Sequence, residues 1–230
     1  MKHFVFLFML LCCLSATAQQ ADKRTHIEFS TNMGNFTVEL YNETPTHRDN
    51  FIKLCKEHFY DHLIFHRVIK DFMIQTGDPN SRNATDKDEQ LGDGGPGYDI
   101  PAEILYPRFY HHRGALAAAR ESDDVNPERK SSGSQFYIVW GNVWTKGELR
   151  KQEKLRQKES SDFIMPDDVK QAYIKDGGCP HLDGKYTVFG EVTSGLDVVD
   201  KIQQVPTGQF DRPQQDVVIL SAKIVSDAPN

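Results

Sequence analysis

Between residues 26 and 41 the apolar positions Phe36, Val38 and Leu40 alternate with the polar positions Thr37 and Glu39. A period of two places one set of side chains on each face of a strand. Two strands are therefore expected, over 26–30 and 35–41, joined by the turn Thr31-Asn32-Met33-Gly34. The pattern then changes. Thr44 is placed to cap a helix and Pro45 to open it, where the missing N–H of proline is not needed. Phe51, Leu54, Cys55 and His58 follow at helical spacing and share one face. Strand-length apolar runs recur at 63–69, 72–76, 116–119, 136–140, 188–192 and 217–225. Leu196, Val199 and Ile202 mark a short amphipathic helix, and the polar, glycine-rich stretch 80–97 is a loop.

Many strands, two core helices far apart in the chain and no βαβ rhythm predict a mainly β protein. The expected form is a closed antiparallel barrel with helices at its ends, since closure removes exposed sheet edges. Residues 146–176 break the rhythm. Their charge-rich first half offers only Leu149 and Leu155 as apolar positions, and a second helix starts near Pro166 and stops at Gly177-Gly178. This insertion reads as a solvated surface excursion; a partner-docking arm is the alternative.

The first 18 residues read as a signal peptide: Lys2, an apolar run over 4–14, and Ala16-Thr17-Ala18 as the cleavage site. A lipoprotein signal ending at Cys12 or Cys13 is the weaker alternative, because Leu10 and Leu11 are bulky for that purpose. Residues 19–230 then form one domain. The expected location is the periplasm or the exterior. No later segment is apolar enough to span a bilayer. The net charge of −6 argues against nucleic acid as a partner. Cys55 and Cys179 are too few for a disulfide framework, and a bridge between them needs a Cα separation that sequence does not supply.

Three stretches carry the chemistry. They are Phe65-His66-Arg67-Val68-Ile69-Lys70-Asp71-Phe72-Met73-Ile74-Gln75-Thr76-Gly77-Asp78, then Gly133-Ser134-Gln135-Phe136-Tyr137-Ile138-Val139, then Leu182-Asp183-Gly184-Lys185-Tyr186-Thr187-Val188-Phe189-Gly190. They hold one arginine, glutamines and apolar side chains, without an evident nucleophile or cofactor loop. Such a set suits binding a peptide and twisting it. Gln75 is two residues beyond Met73 and so on the same strand face, free to bond a substrate backbone or to hold Arg67. Gln135 and Tyr137 share one face, with Phe136 and Ile138 on the other.

In order and spacing these stretches resemble the cyclophilins, a family of peptidyl-prolyl cis-trans isomerases, over about residues 26–225. The resemblance implies an eight-stranded barrel and makes Arg67 the catalytic residue. It implies a proline pocket of Phe72, Met73, Tyr137, Leu182 and Tyr186, with Gln75 and Gln135 beside it. It places Ala119 and Arg120 in the segment whose backbone pairs with a bound peptide, and His181 at the groove wall. His181 stands where many eukaryotic relatives have tryptophan, a change expected to weaken binding of cyclosporin. Arg120 and Tyr186 replace asparagine and histidine and look like bacterial members; Tyr137 replaces phenylalanine, so its hydroxyl needs a partner.

The implied activity is proline isomerisation assisting protein folding outside the cytoplasm; a peptide-gripping holdase with little turnover is the alternative. Proline-containing polypeptides are the expected partners of a monomer that needs no cofactor and no metal. Other signals are weaker. Gly92-Asp93-Gly94-Gly95-Pro96-Gly97 lacks the strand and helix of a dinucleotide loop, and Asp86, Asp88 and Asp93 lack the glycine of an EF-hand. His58, His62 and His66 do not share a helix face, and Ser131, Ser132 and Ser134 lack a nucleophile elbow. The sequons at Asn35 and Asn83 count only in a eukaryotic source.

Overall fold

The computed structural model describes residues 23–87 and 89–225. The expected signal peptide and Asp88 of the acidic loop lie outside them. Among the described residues ten strands and four α-helices follow in chain order: β1 (His26–Thr31), β2 (Gly34–Leu40), α1 (Pro45–Lys56), β3 (Arg67–Ile69), β4 (Met73–Thr76), β5 (Asp99–Ile100), β6 (Ala115–Ala118), β7 (Ser131–Ser132), β8 (Phe136–Val139), α2 (Lys146–Glu159), α3 (Asp167–Lys175), β9 (Val188–Ser194), α4 (Leu196–Gln203) and β10 (Ile219–Val225).

Eight strands form one curled antiparallel sheet in the order β10-β1-β2-β9-β6-β8-β4-β3, and β5 pairs with β7 apart from it. The expectation of a closed barrel is corrected: the barrel is open, and no ladder joins β3 to β10 among the described residues. β3 is three residues long and cannot run along its would-be neighbour. The chain before it crosses the seam instead. His62 N–H donates to the Ile219 carbonyl at 2.7 Å and Phe65 N–H to the Val217 carbonyl at 2.9 Å, with a single bridge between Ile64 and Val218.

The core follows from the alternation. Phe29, Phe36 and Phe136 point inside the curl, where Phe29 and Phe136 meet Phe51 of α1 and Tyr60. Phe29 stacks on Phe36 with centroids 5.1 Å apart, and Phe51 meets Phe136 edge-on at 5.1 Å. Each such ring removed from water contributes roughly 1.5–3 kcal/mol. Two details of the helix reading change. His58 lies beyond the end of α1, in left-handed backbone, and is exposed rather than part of its buried face. In α4 the inward face is Val198, Val199 and Ile202, and Leu196 is partly exposed. Cys55 and Cys179 are free thiols in separate apolar clusters, so no bridge joins them. Burial, and then Asp183, push the Cys179 thiol up to about 12, which makes it inert.

Thr44 occupies the N-cap position of α1 but makes no capping hydrogen bond; its hydroxyl donates to the Tyr41 carbonyl. Glu103 supplies the acceptor from 56 residues away. Its carboxylate takes the N–H groups of Thr46 and His47 at 3.0 and 2.9 Å, and meets His47 Nδ1 at 2.6 Å. Burial alone would raise the Glu103 pKa, but the hydrogen bonds from His47 and Thr46 outweigh it and bring the pKa to about 2. A carboxyl held below its ordinary value stabilises the fold above that value, and the contribution is lost as pH falls towards 2. Glu103→Gln should therefore cost about 2 kcal/mol at neutral pH. It should also flatten the acid limb of a urea-midpoint profile; profiles that ran parallel from pH 6 to pH 2 would contradict this.

Residues 146–176 are more than a solvated excursion. Thr145 and Glu148 cap α2 reciprocally, with Glu148 N–H on Thr145 Oγ1 and Thr145 N–H on the Glu148 carboxylate. Leu149 of α2 packs with Phe163, Met165, Val169 and Tyr173, and with Tyr106, Tyr110 and Trp144 around them. The apolar stripe was invisible on α2 because Phe163 and Met165 come from the turn after it and the tyrosines from residues 106–110. At the end of α3, Gly178 adopts a φ of 140°, and a Cβ there would lie 2.3 Å from the His111 carbonyl oxygen. Only glycine permits this close return to the sheet.

Candidate functional site: a groove on the outer face of the sheet

The register builds the site. Arg67 of β3 lies opposite Gln75 of β4, and Gln75 lies opposite Tyr137 of β8. Directly paired residues share a face, so these three form a row on the outside of the curl. Val68, Ile74 and Ile138 form the matching row inside. A cleft of about 170 Å³ opens above the outer row. Arg67, Phe72, Met73, Gln75, Ala119, Arg120, Tyr137, Leu182 and Tyr186 line it. Nine of the eleven residues singled out from the sequence therefore meet at one place. Of the other two, Gln135 lies beside the cleft, hydrogen-bonded to Gln75, and His181 does not line it but packs on Phe72 with the rings 5.5 Å apart. A second cavity of about 550 Å³ adjoins the cleft and shares Gln75, Ala119 and Arg120 with it.

Several roles differ from expectation. Gln75 does not hold Arg67: its Nε2 donates to Gln135 Oε1 at 3.1 Å. Gln135 Nε2 donates to the carbonyls of Gly92 and Gly94 at 2.6 and 2.7 Å, so its amide fixes the glycine-rich loop against the groove. The backbone of Ala119 is already engaged, its N–H with Gln135 and its carbonyl with Ser132. The Arg120 side chain braces the wall. Its Nε donates to the Lys185 carbonyl at 2.9 Å, its guanidinium pairs with Asp123 at 2.6 Å, and it stacks 4.6 Å above the Tyr186 ring.

Arg67 is held by a residue the sequence reading missed. Its Nε lies 3.4 Å from Asp211 Oδ2, with the two side chains 42% and 46% exposed. Asp211 and Phe210 both adopt left-handed backbone, with φ of 59° and 57°. Nothing local in Gln209-Phe210-Asp211 announces a partner 144 residues away; the contact arises because this turn packs on β3.

The Tyr137 hydroxyl finds its partner behind the groove. It lies 3.0 Å from His111 Nε2, and His111 Nδ1 lies 3.0 Å from Asp183 Oδ1. The same oxygen accepts the His111 backbone N–H at 2.9 Å. An acceptor at Nδ1 places the imidazole proton there and leaves Nε2 to accept from Tyr137. Burial raises the Tyr137 pKa well above its ordinary value, so its hydroxyl remains a donor. His111 and Asp183 were not singled out from the sequence, although Asp183 stands inside the third stretch.

His66, beside Arg67, is buried with neither ring nitrogen hydrogen-bonded, and burial lowers its pKa to about 4. It is neutral and adds no charge to the groove. Among the described residues no group of three or more His, Cys, Asp or Glu side chains is arranged to hold a metal, and no helix is long and apolar enough to cross a membrane.

The groove sets Arg67 and Arg120 beside apolar side chains on the outside of a curled antiparallel sheet. Residues 26–224 match the family described as "Cyclophilin type peptidyl-prolyl cis-trans isomerase/CLD", and the chain belongs to that family. A Streptococcus pyogenes protein provisionally named a bifunctional phosphatase/peptidyl-prolyl cis-trans isomerase is 34% identical over 216 residues, 89% of this chain and 40% of that protein. This chain therefore spans less than half the length of that relative. The Aspergillus fumigatus "Peptidyl-prolyl cis-trans isomerase-like 1" is 33% identical, over 88% of this chain and 97% of its own. Among solved structures, a cyclophilin-type isomerase of Cryptosporidium parvum crystallised in the presence of the dipeptide Ala-Pro is similar with a TM-score of 0.63. It is 25% identical and covers 88% of this chain and 99% of its own.

Proposed function

We propose that this protein accelerates rotation about X-Pro bonds in polypeptides outside the cytoplasm and so assists their folding. The observation that carries this reading is the row Arg67-Gln75-Tyr137 beneath a cleft walled by Phe72, Met73, Leu182 and Tyr186.

Rotation about the prolyl C–N bond meets a barrier of roughly 18–20 kcal/mol because the amide is resonance-stabilised. Twisting localises the lone pair on the prolyl nitrogen, and a donor that meets the twisted amide lowers the barrier. Arg67 is that donor: always charged, half exposed, and aimed by Asp211. The proline ring rests on Met73 and the Tyr137 ring with Phe72 beside it, a dry surface on which a ring can turn. Being a family member crystallised with Ala-Pro, the Cryptosporidium protein supports proline-containing ligands for this groove. The extracytoplasmic setting rests on the signal-like residues 1–18. It predicts an exported protein beginning at Gln19, read by intact mass; a protein retained with residues 1–18 in place would remove that part of the reading.

A peptide holdase with little turnover is the second reading, favoured by the ion pair that already occupies Arg67. Exchange NMR on a proline peptide separates the two, since an isomerase produces cis–trans exchange peaks at substoichiometric protein and a holdase only shifts the signals.

A further inference from the structure

The arm of residues 146–176 reaches Asp183, the neighbour of Leu182 in the groove wall, and one polar chain runs from it to the groove floor. The Tyr173 hydroxyl of α3 donates to Asp183 Oδ2 at 2.8 Å. Arg156 of α2 donates from Nη2 to the Asp183 carbonyl at 2.8 Å. Asp183 accepts from His111, and His111 accepts from Tyr137. Tyr173, Asp183, His111 and Tyr137 are 0, 0, 1 and 5% exposed. These four therefore lie out of water from one end to the other, and each has a partner, whereas Nε of Arg156 beside them has none. A buried network of this kind is rigid when every member is satisfied.

We propose that the inserted arm is a working part of the isomerase site, with Tyr173, Asp183 and His111 as positioning residues that act on substrate through Tyr137. The inference rests on the function proposed above. Its physical basis is the hydroxyl of Tyr137. A phenol beneath an apolar pocket needs a hydrogen-bond partner, and without His111 it would find one in the cleft, as water or as the substrate backbone. His111 takes the hydroxyl away from the cleft and fixes the plane of the ring on which proline rests. His111 can do so only in the tautomer that Asp183 sets, and Tyr173 and Arg156 hold Asp183. The groove floor is thereby tied to a segment that touches no substrate.

The test is a double-mutant cycle on the full chain, read as kcat/KM for cis–trans isomerisation of a proline tetrapeptide, with urea unfolding of each variant as a check. Tyr173→Phe should lower kcat/KM about fivefold when Tyr137 is present, and leave it within about 1.5-fold when Tyr137 is already phenylalanine. Equal effects in the two backgrounds would overturn the proposal, because a merely structural role for Tyr173 is additive with Tyr137→Phe. If Tyr173→Phe does not fold, Arg156→Met enters the same cycle with the same expectation, since it removes the contact to the Asp183 carbonyl and keeps the stem. A wild type without turnover, or one indifferent to Arg67→Ala, overturns the underlying reading of the groove. An active, Arg67-dependent enzyme with an additive cycle overturns this inference alone.

Discussion

Arg67→Ala should lower the rate of X-Pro isomerisation at least tenfold, about 1.4 kcal/mol or more of lost transition-state stabilisation, while leaving the fold intact. The two halves of this expectation have separate grounds. Activity falls because no other described side chain lining the cleft offers a half-exposed cation: Arg120 is spent on Lys185, Glu121 and Asp123. Stability holds because the Arg67–Asp211 pair is open to solvent, where such a pair contributes about 0–1 kcal/mol. Arg67→Lys should recover little, since a point charge on a flexible stem lacks the planar fork. Turnover near the wild-type rate in Arg67→Ala, measured by a protease-coupled assay or exchange NMR, would remove Arg67 from its role.

The second large effect is on the fold. Asp183→Ala should destabilise the protein by roughly 3–5 kcal/mol, read as a fall in the urea midpoint at unchanged slope. The carboxylate is wholly buried and accepts from the His111 backbone, the His111 ring and the Tyr173 hydroxyl. Its removal strands three donors where water does not reach, and each hydrogen bond to a charged group is worth about 1.5–3 kcal/mol. The loss is smaller than their sum because the site can partly collapse or admit water. A shift of less than about 1 kcal/mol would mean that the network is replaceable.

What was legible in the sequence was local. Alternation at Phe36, Val38 and Leu40 found β2, and the Thr44-Pro45 pair found the start of α1. The long motif around Arg67 brought with it Phe72, Met73 and Gln75, because residues on one hairpin stay near one another whatever the rest of the chain does. The sheet was foreseen as a barrel, but its open seam was not. Periodicity over 63–69 cannot tell a strand from a crossing that makes a single bridge. Partners remote in sequence were also hidden. Glu103 caps α1 across 56 residues, Asp211 reaches Arg67 across 144, and His111 meets Asp183 across 72. In each case the meeting is decided by strand order, which hydrophobic pattern does not encode. The segment 146–176 was misread for a related reason: its apolar face is assembled from Leu149, Phe163, Met165 and Tyr173, none of which forms a stripe alone.

The open seam gives the groove two unlike sides. β8 is flanked by β4 and β6 and lies inside the sheet, whereas β3, which carries Arg67, is a three-residue edge strand laddered only to β4. The Tyr137 side of the cleft therefore rests on a strand paired on both sides, and Arg67 stands on one paired on a single side. In the reaction proposed above, the guanidinium would reach the prolyl nitrogen from the edge of the sheet, while the ring would lie over strands paired on both sides.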